Sequence, residues 1–140
     1  MLNVTMSEYK ELVNKYWNGE ITMKELDQYE IVLDKQPTHS SDFVNNLIVK
    51  LCVDYREEQD RILYTGSIGQ SKLINNIDEL SRNGFKYVSN WSDSYNEVFI
   101  SDVHNVIITT TEGDLFISLS YSKEAYENEL DCTKKFYEEY

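Results

Sequence analysis

The spacing of hydrophobic positions changes texture near residue 84. Before it, apolar residues recur at helical intervals. Tyr9, Leu12, Val13, Tyr16 and Trp17 fall at i, i+3, i+4, i+7 and i+8, the pattern of one buried helical face. Thr5 and Glu8 stand at capping-box spacing ahead of that face, and Asn18-Gly19 supplies a stop. Thr22 and Glu25 repeat the box and open a second helix, which must end before Pro37. Residues 1–36 therefore read as a helical hairpin. A third helix starts at Ser41-Asp42 and runs through Phe43, Leu47, Leu51 and Tyr55, with Ile48 and Cys52 alongside. Arg56 to Arg61 reads as a solvated stretch. Ile62 to Thr65 either finishes that helix or forms a short strand. After a loop from Gly66 to Gly69, Leu73, Ile74, Ile77 and Leu80 make a fourth helix, stopped at Asn83-Gly84.

Beyond that point the runs are short and β-branched or aromatic: Phe85 to Trp91, Glu97 to Ser101, Val106 to Thr111 and Leu115 to Tyr121. Polar turns separate them, the last being Glu112-Gly113-Asp114. Leu115, Ile117, Leu119 and Tyr121 alternate with Phe116, Ser118 and Ser120, so one sheet face is expected to be mostly wet. Four strands with short connections predict an antiparallel meander. Ser122 then caps a final helix to Tyr140. The fold class expected is α+β: an N-terminal helical hairpin, two further helices, a four-stranded antiparallel meander and a C-terminal helix, with helices on one sheet face. One domain over 1–140 is expected, with 1–36 either packed on the sheet or serving as an association arm that makes a homodimer through the N-terminal helices.

Charge changes this picture more than composition does. The formal net charge is −12, and residues 87–140 hold 3 basic and 11 acidic groups, two thirds of the total. Such a balance argues against direct nucleic-acid binding and against anionic membranes. No apolar run approaches the roughly 18 residues that span a bilayer, and the N-terminus lacks a signal-peptide pattern, so a cytoplasmic protein is expected. Cys52 and Cys132 lie 80 positions apart and fall on apolar helical faces, where they read as small buried hydrophobes rather than a disulfide.

The acidic excess is most organised in the last helix. At about 100° per residue, Tyr126, Leu130, Thr133 and Tyr137 share one face, flanked by Ala125, Cys132 and Phe136. Glu124, Glu127, Asp131 and Glu138 occupy another arc, spaced by roughly 4.5, 6 and 10.5 Å along the axis. A nucleic-acid strand carries one charge per roughly 3.4 Å, a comparable scale. Helix stability does not call for this stripe: the like-charge neighbours Glu124–Glu127 and Glu127–Asp131 each cost about 0.2–0.5 kcal/mol. Glu138 also sits at the negative end of the helix dipole. With Glu112 and Asp114 in the preceding turn, these six carboxylates are the candidate partner-binding residues.

Other chemistry is sparse. Gly66, Gly69 and Lys72 would form a phosphate cradle if Ile62 to Thr65 were a strand, although the spacing departs from GxxxxGK[ST]. His39 and His104 stand apart from any carboxylate or cysteine at metal-like spacing and read as surface residues. Tyr87, Trp91, Tyr95 and Phe99 form an aromatic series, either sheet packing or an interface anchor. No catalytic residue, cofactor site or metal site is read from the sequence.

Leu12 to Leu33, with Gly-Glu-Ile-Thr at its turn, resembles short helical modules of many bacterial proteins, which mostly mediate association. In size, charge and lack of a catalytic motif the chain resembles the small acidic inhibitors that phages and mobile elements use against host defence, including anti-CRISPR proteins. That resemblance implies a non-enzymatic inhibitor whose acidic surface engages a basic, nucleic-acid-binding partner protein. Two alternatives remain open at this level: an immunity protein against a nuclease toxin, and a small nucleotide-binding module built on Gly66 to Lys72.

Overall fold

A computed structural model describes residues 1–67 and 76–139. Strand β1 (Leu2–Val4) leads into helix α1 (Met6–Trp17), a single helical turn α2 (Met23–Leu26) and strand β2 (Tyr29–Ile31). Both expected capping boxes form: the Glu8 and Glu25 amides donate to Thr5 Oγ1 and Thr22 Oγ1 at 3.3 and 3.1 Å. The expected helical hairpin does not. Its second helix stops after one turn because Tyr29-Glu30-Ile31 pairs in parallel with Leu2-Asn3-Val4. Among the described residues, every hydrogen bond made by residues 1–33 stays within that segment. No residue of α1 is buried and Trp17 is 76 % exposed, so the apolar face read from the sequence is only half covered.

Helix α3 (Asp42–Leu51) starts at a Ser41 cap and buries Val44 and Ile48. It ends ten residues in, and Cys52 turns to extended backbone to begin strand β3 (Cys52–Glu57). The sequence carried this helix on to Tyr55 because Cys52 continues the Val44–Ile48 line at i+4. Pairing with strand β4 (Arg61–Ser67) wins instead, since each residue of the hairpin gains ladder bonds and a cross-strand neighbour. Arg56 to Arg61 is thus the tip of a β-hairpin, not a loose stretch, and Ile62 to Thr65 is strand.

Gly66 lies inside β4 opposite Cys52 and Leu115. A Cβ there would meet the Leu51 carbonyl oxygen at 1.9 Å, so close approach of two backbones explains this glycine. Gly69 and Lys72, with Leu73 and Ile74 of the expected fourth helix, lie outside the described residues. Helix α4 (Ile77–Arg82) buries Leu80 and stops where Gly84 takes φ +89°.

Strands β5 (Lys86–Tyr87), β6 (Asn96–Ser101), β7 (Val106–Thr111) and β8 (Asp114–Ser120) follow, then helix α5 (Lys123–Glu139). The last four strands are consecutive antiparallel neighbours, but β5 has only two residues because Ser89–Trp91 turns into a 3-10 helix. Among the described residues the sheet has six antiparallel strands in the order β3-β4-β8-β7-β6-β5, two more than expected. The β7–β8 hairpin has Glu112 and Gly113 as its two central residues, at φ 46° and 93°, which matches the strand twist.

Helices cover both sheet faces, not one. Ile62, Tyr64, Leu115, Ile117, Leu119, Val106, Ile108 and Phe99 meet Val44, Ile48 and Leu80 on the first. The alternate residues Leu63, Ile107, Phe116 and Ser118 face α5. The expected wet face is therefore covered, and Ser118 is only 4 % exposed. Among the described residues no helix is long and apolar enough to cross a membrane.

Candidate functional site

Helix α5 crosses the second sheet face from the β6–β7 turn to the start of β6, and side chains fix both its ends. Ser122 caps it through the Ala125 amide at 3.1 Å. Near that end, Tyr126 is fully buried and its hydroxyl donates to Asp102 Oδ1 at 2.7 Å; burial first, and then this bond, push its pKa upward. At the far end the Tyr137 ring stacks on Trp91 at 6.2 Å, and Trp91 Nε1 donates to Glu138 at 3.2 Å. Asp93, in the same loop, accepts the Tyr95 and Asn96 amides at 2.8 and 2.9 Å, which hold its carboxyl below the usual range.

Midway along α5, Glu129 turns to the sheet. Its Oε1 accepts from Arg61 Nη1, 2.6 Å away, and its Oε2 accepts from Ser118 and Ser120 at 2.8 and 3.3 Å. Arg61 also reaches Glu58, which binds Arg56. With both side chains largely covered, this cluster pins α5 across β4 and β8. The sequence reading missed it. Glu129 does lie on the packed face, three residues after Tyr126 and four before Thr133, but its partner is 68 positions away.

The packed face of α5 is as expected at Tyr126, Leu130, Thr133 and Tyr137, and two shoulders flank it. One carries Glu124, Glu127 and Asp131, all exposed, bordered by Lys134 and Lys135. Among the described residues none of these three carboxylates makes an ion pair or a side-chain hydrogen bond. Glu138 continues the stripe but is tied to Trp91. Glu112 and Asp114 are exposed on the β7–β8 hairpin, whose Glu112 amide donates to Tyr95 at 3.3 Å. They therefore share an end of the sheet with Glu138, whereas Glu124 and Glu127 lie toward the other end. The six candidates form a stripe and an end group, not one patch.

The other shoulder borders a groove of about 570 Å³ between α5 and the sheet, with Leu63, Ile107 and Phe116 as floor and Phe136 on the rim. Cys132 also lines it and is exposed, contrary to the expectation of a buried thiol. Cys52 is buried as expected, though on β3 rather than a helix, and burial pushes its thiol up to about 12. The aromatic series divides: Tyr87 packs on buried Phe99 at 5.2 Å, Trp91 turns to α5, and Tyr95 is exposed.

His39 and His104 are not separate surface residues. Half-buried, they meet edge to face at 5.6 Å. His39 Nδ1 accepts the Ser41 amide at 2.9 Å, so its Nε2 carries the proton that the His104 carbonyl accepts at 3.1 Å. His104 Nε2 in turn faces the Asn83 carbonyl at 3.0 Å. The pair ties together the loop before α3, the β6–β7 turn and the end of α4. Among the described residues no three His, Cys, Asp or Glu side chains are grouped as metal ligands. In comparison with known proteins, no family model, curated protein or solved structure matches this chain.

Proposed function

We propose that the chain is a non-enzymatic binding protein whose acidic α5 shoulder engages a basic, nucleic-acid-binding partner protein. One observation carries this reading: Glu124, Glu127 and Asp131 are exposed on one line of a rigidly held helix and have no internal partner. Their mutual repulsion costs the helix stability, which Lys123, Lys134 and Lys135 at neighbouring helical positions offset only in part. A cationic groove shaped for phosphates removes that repulsion on contact, and a net charge of −12 steers the encounter. The end group of Glu112, Asp114 and Glu138 widens the same negative field. The resulting activity is inhibition by occupancy, as in the anti-CRISPR class, within the cytoplasm of the producing host.

The test is capture of partners on tagged protein from that host's lysate at about 50 and 200 mM salt, the range over which phosphate-like contacts weaken steeply. A basic nucleic-acid-binding protein retained at the lower salt and displaced by added DNA supports the reading. A partner that resists both salt and DNA contradicts it. If the salt-sensitive, DNA-displaced partner were a toxin nuclease, the immunity-protein alternative would hold with the same surface physics.

A further inference from the structure

A second concavity lies on the sheet face that carries α3. It encloses about 460 Å³ between the loop before that helix and the β6–β7 turn, within the range of small-molecule sites. Polar groups dominate its walls. Gln36, Thr38 and Ser40 line it from the loop, and among the described residues their side chains make no internal hydrogen bond. Asn105 lines it from the turn, and its Oδ1 is buried with no donor among the described residues. Most buried acceptors in native proteins are met, and leaving one unmet costs free energy. Tyr121, 59 % exposed, stands at the rim.

The walls are rigid before any ligand arrives. Asn45 clamps the His39 backbone from both sides, accepting its amide at 2.9 Å and donating to its carbonyl at 2.7 Å. The histidine pair then fixes this loop to the β6–β7 turn. Lys35 and Glu57 line the cavity as a pair 3.3 Å apart, so neither offers it an unbalanced charge.

We infer that this cavity binds a neutral polyhydroxylated ligand of saccharide type, with one hydroxyl donating to Asn105 Oδ1 and a C–H face lying on the Tyr121 ring. The amide torsion of asparagine is broad, so Oδ1 turns onto a ligand donor at little cost. A hydroxyl both donates and accepts, so a sugar meets the amide of Gln36 and the hydroxyls of Thr38 and Ser40 alike. The negative face of an aromatic ring suits the polarised C–H groups of a pyranose. Carboxylates and phosphates only accept, so they leave Oδ1 unmet, and they must enter a protein of net charge −12. An ammonium donates, but Lys35 already holds the cavity's carboxylate. A flat ring with few polar atoms leaves most of the loop's groups without a partner. This inference is independent of the acidic-shoulder reading.

The test titrates the isotope-labelled full chain with methyl glucoside, methyl galactoside, methyl mannoside and N-acetylglucosamine, followed by amide chemical shifts. Adenine and glucose 6-phosphate run alongside. A saturable response to at least one neutral sugar, centred on Thr38, Asn105 and Tyr121, supports the site. Asn105 holds φ 59°, which glycine adopts freely, so Asn105→Gly removes the acceptor and keeps the turn. It should weaken binding about three- to tenfold, the worth of one neutral hydrogen bond, while Tm stays close to the parent's. If that variant does not fold, Tyr121→Ala at the rim reports instead and should also weaken binding. No saturable response to any of the four sugars overturns the inference. Tighter binding of adenine or glucose 6-phosphate than of every neutral sugar, or undiminished binding by the folded variant, overturns it as well.

Discussion

Gly66→Ala separates a structural glycine from a ligand-binding one. A Cβ at this position meets three backbone atoms: Leu51 O at 1.9 Å, Leu51 C at 2.8 Å and Cys52 Cα at 2.9 Å. Ordinary contact begins near 3.4 Å, so the Leu51 carbonyl must retreat by 3.4 minus 1.9, or about 1.5 Å. No side chain can rotate away to absorb this. The displaced segment is the junction where α3 becomes β3, beside the irregular pairing between Cys52 and Asp54. Overpacking of this kind costs about 1–3 kcal/mol, and backbone against backbone belongs at the upper end. Alanine recovers about 0.4–1 kcal/mol through the unfolded chain, leaving a net loss of about 2–3 kcal/mol. For 140 residues the unfolding entropy is roughly 0.3 kcal/mol per degree, so Tm should fall by about 7–10 °C. The assay is thermal unfolding by circular dichroism with a urea titration for the free energy. A Tm within about 2 °C of the parent would refute the packing argument. It would also return Gly66 to the phosphate-cradle reading, in which alanine harms ligand binding and spares the fold.

Further outcomes follow from the same geometry. Glu129→Ala strands Arg61 and Ser118 beneath α5 and should cost about 2–3 kcal/mol, less than a fully buried pair because both side chains keep some solvent contact. Replacing both members, Arg61→Met with Glu129→Leu, should recover most of that loss in a urea titration; equal or greater loss would mean that the pair itself contributes net stability. Iodoacetamide at neutral pH should add one adduct, on exposed Cys132, and a second on Cys52 only in denaturant, as read by intact mass. Raised groups also set an alkaline limit. Cys52, Tyr64, Tyr126 and Tyr137 are held protonated by burial, whereas the unfolded chain releases those protons from about pH 8.5 for cysteine and 10 for tyrosine. Their contribution is full below those values and is lost as pH rises through the folded ones, about 12 for Cys52. Stability should therefore decline progressively above about pH 9, and Cys52→Ala should shallow the decline; a slope unchanged by that variant would count against the assignment.

Local signals were legible and distant pairings were not. The Thr5–Glu8 and Thr22–Glu25 boxes, the Ser41 and Ser122 caps, the β-branched run Val106 to Thr111 and the packed stripe of α5 are each set by neighbours within a few residues. Cys52 shows the limit of that reading. By spacing it belongs to a helix, and only pairing with Gly66 across a hairpin makes it strand. The same holds for β2, whose three residues look helical until Leu2 to Val4 lie beside them. Glu129 with Arg61 and His39 with His104 are separated by 68 and 65 positions, so their meeting depends on the completed sheet. The acidic shoulder was visible because helical periodicity alone places Glu124, Glu127 and Asp131 together. The groove behind it was not, since α5 had first to be seated on one half of the sheet.

The central claim concerns that shoulder, and charge reversal tests it most directly. The triple variant Glu124→Lys, Glu127→Lys, Asp131→Lys replaces three exposed carboxylates that make no ion pair or side-chain hydrogen bond among the described residues. The fold should therefore be kept, and Tm should fall only by what the new like-charge neighbours of Lys123, Lys134 and Lys135 cost, about 0.2–0.5 kcal/mol each. Binding to the captured partner, measured by titration calorimetry at low salt, should fall by at least tenfold, and the salt dependence of what remains should flatten. Unchanged affinity and salt slope in a folded triple variant would contradict the acidic-shoulder account.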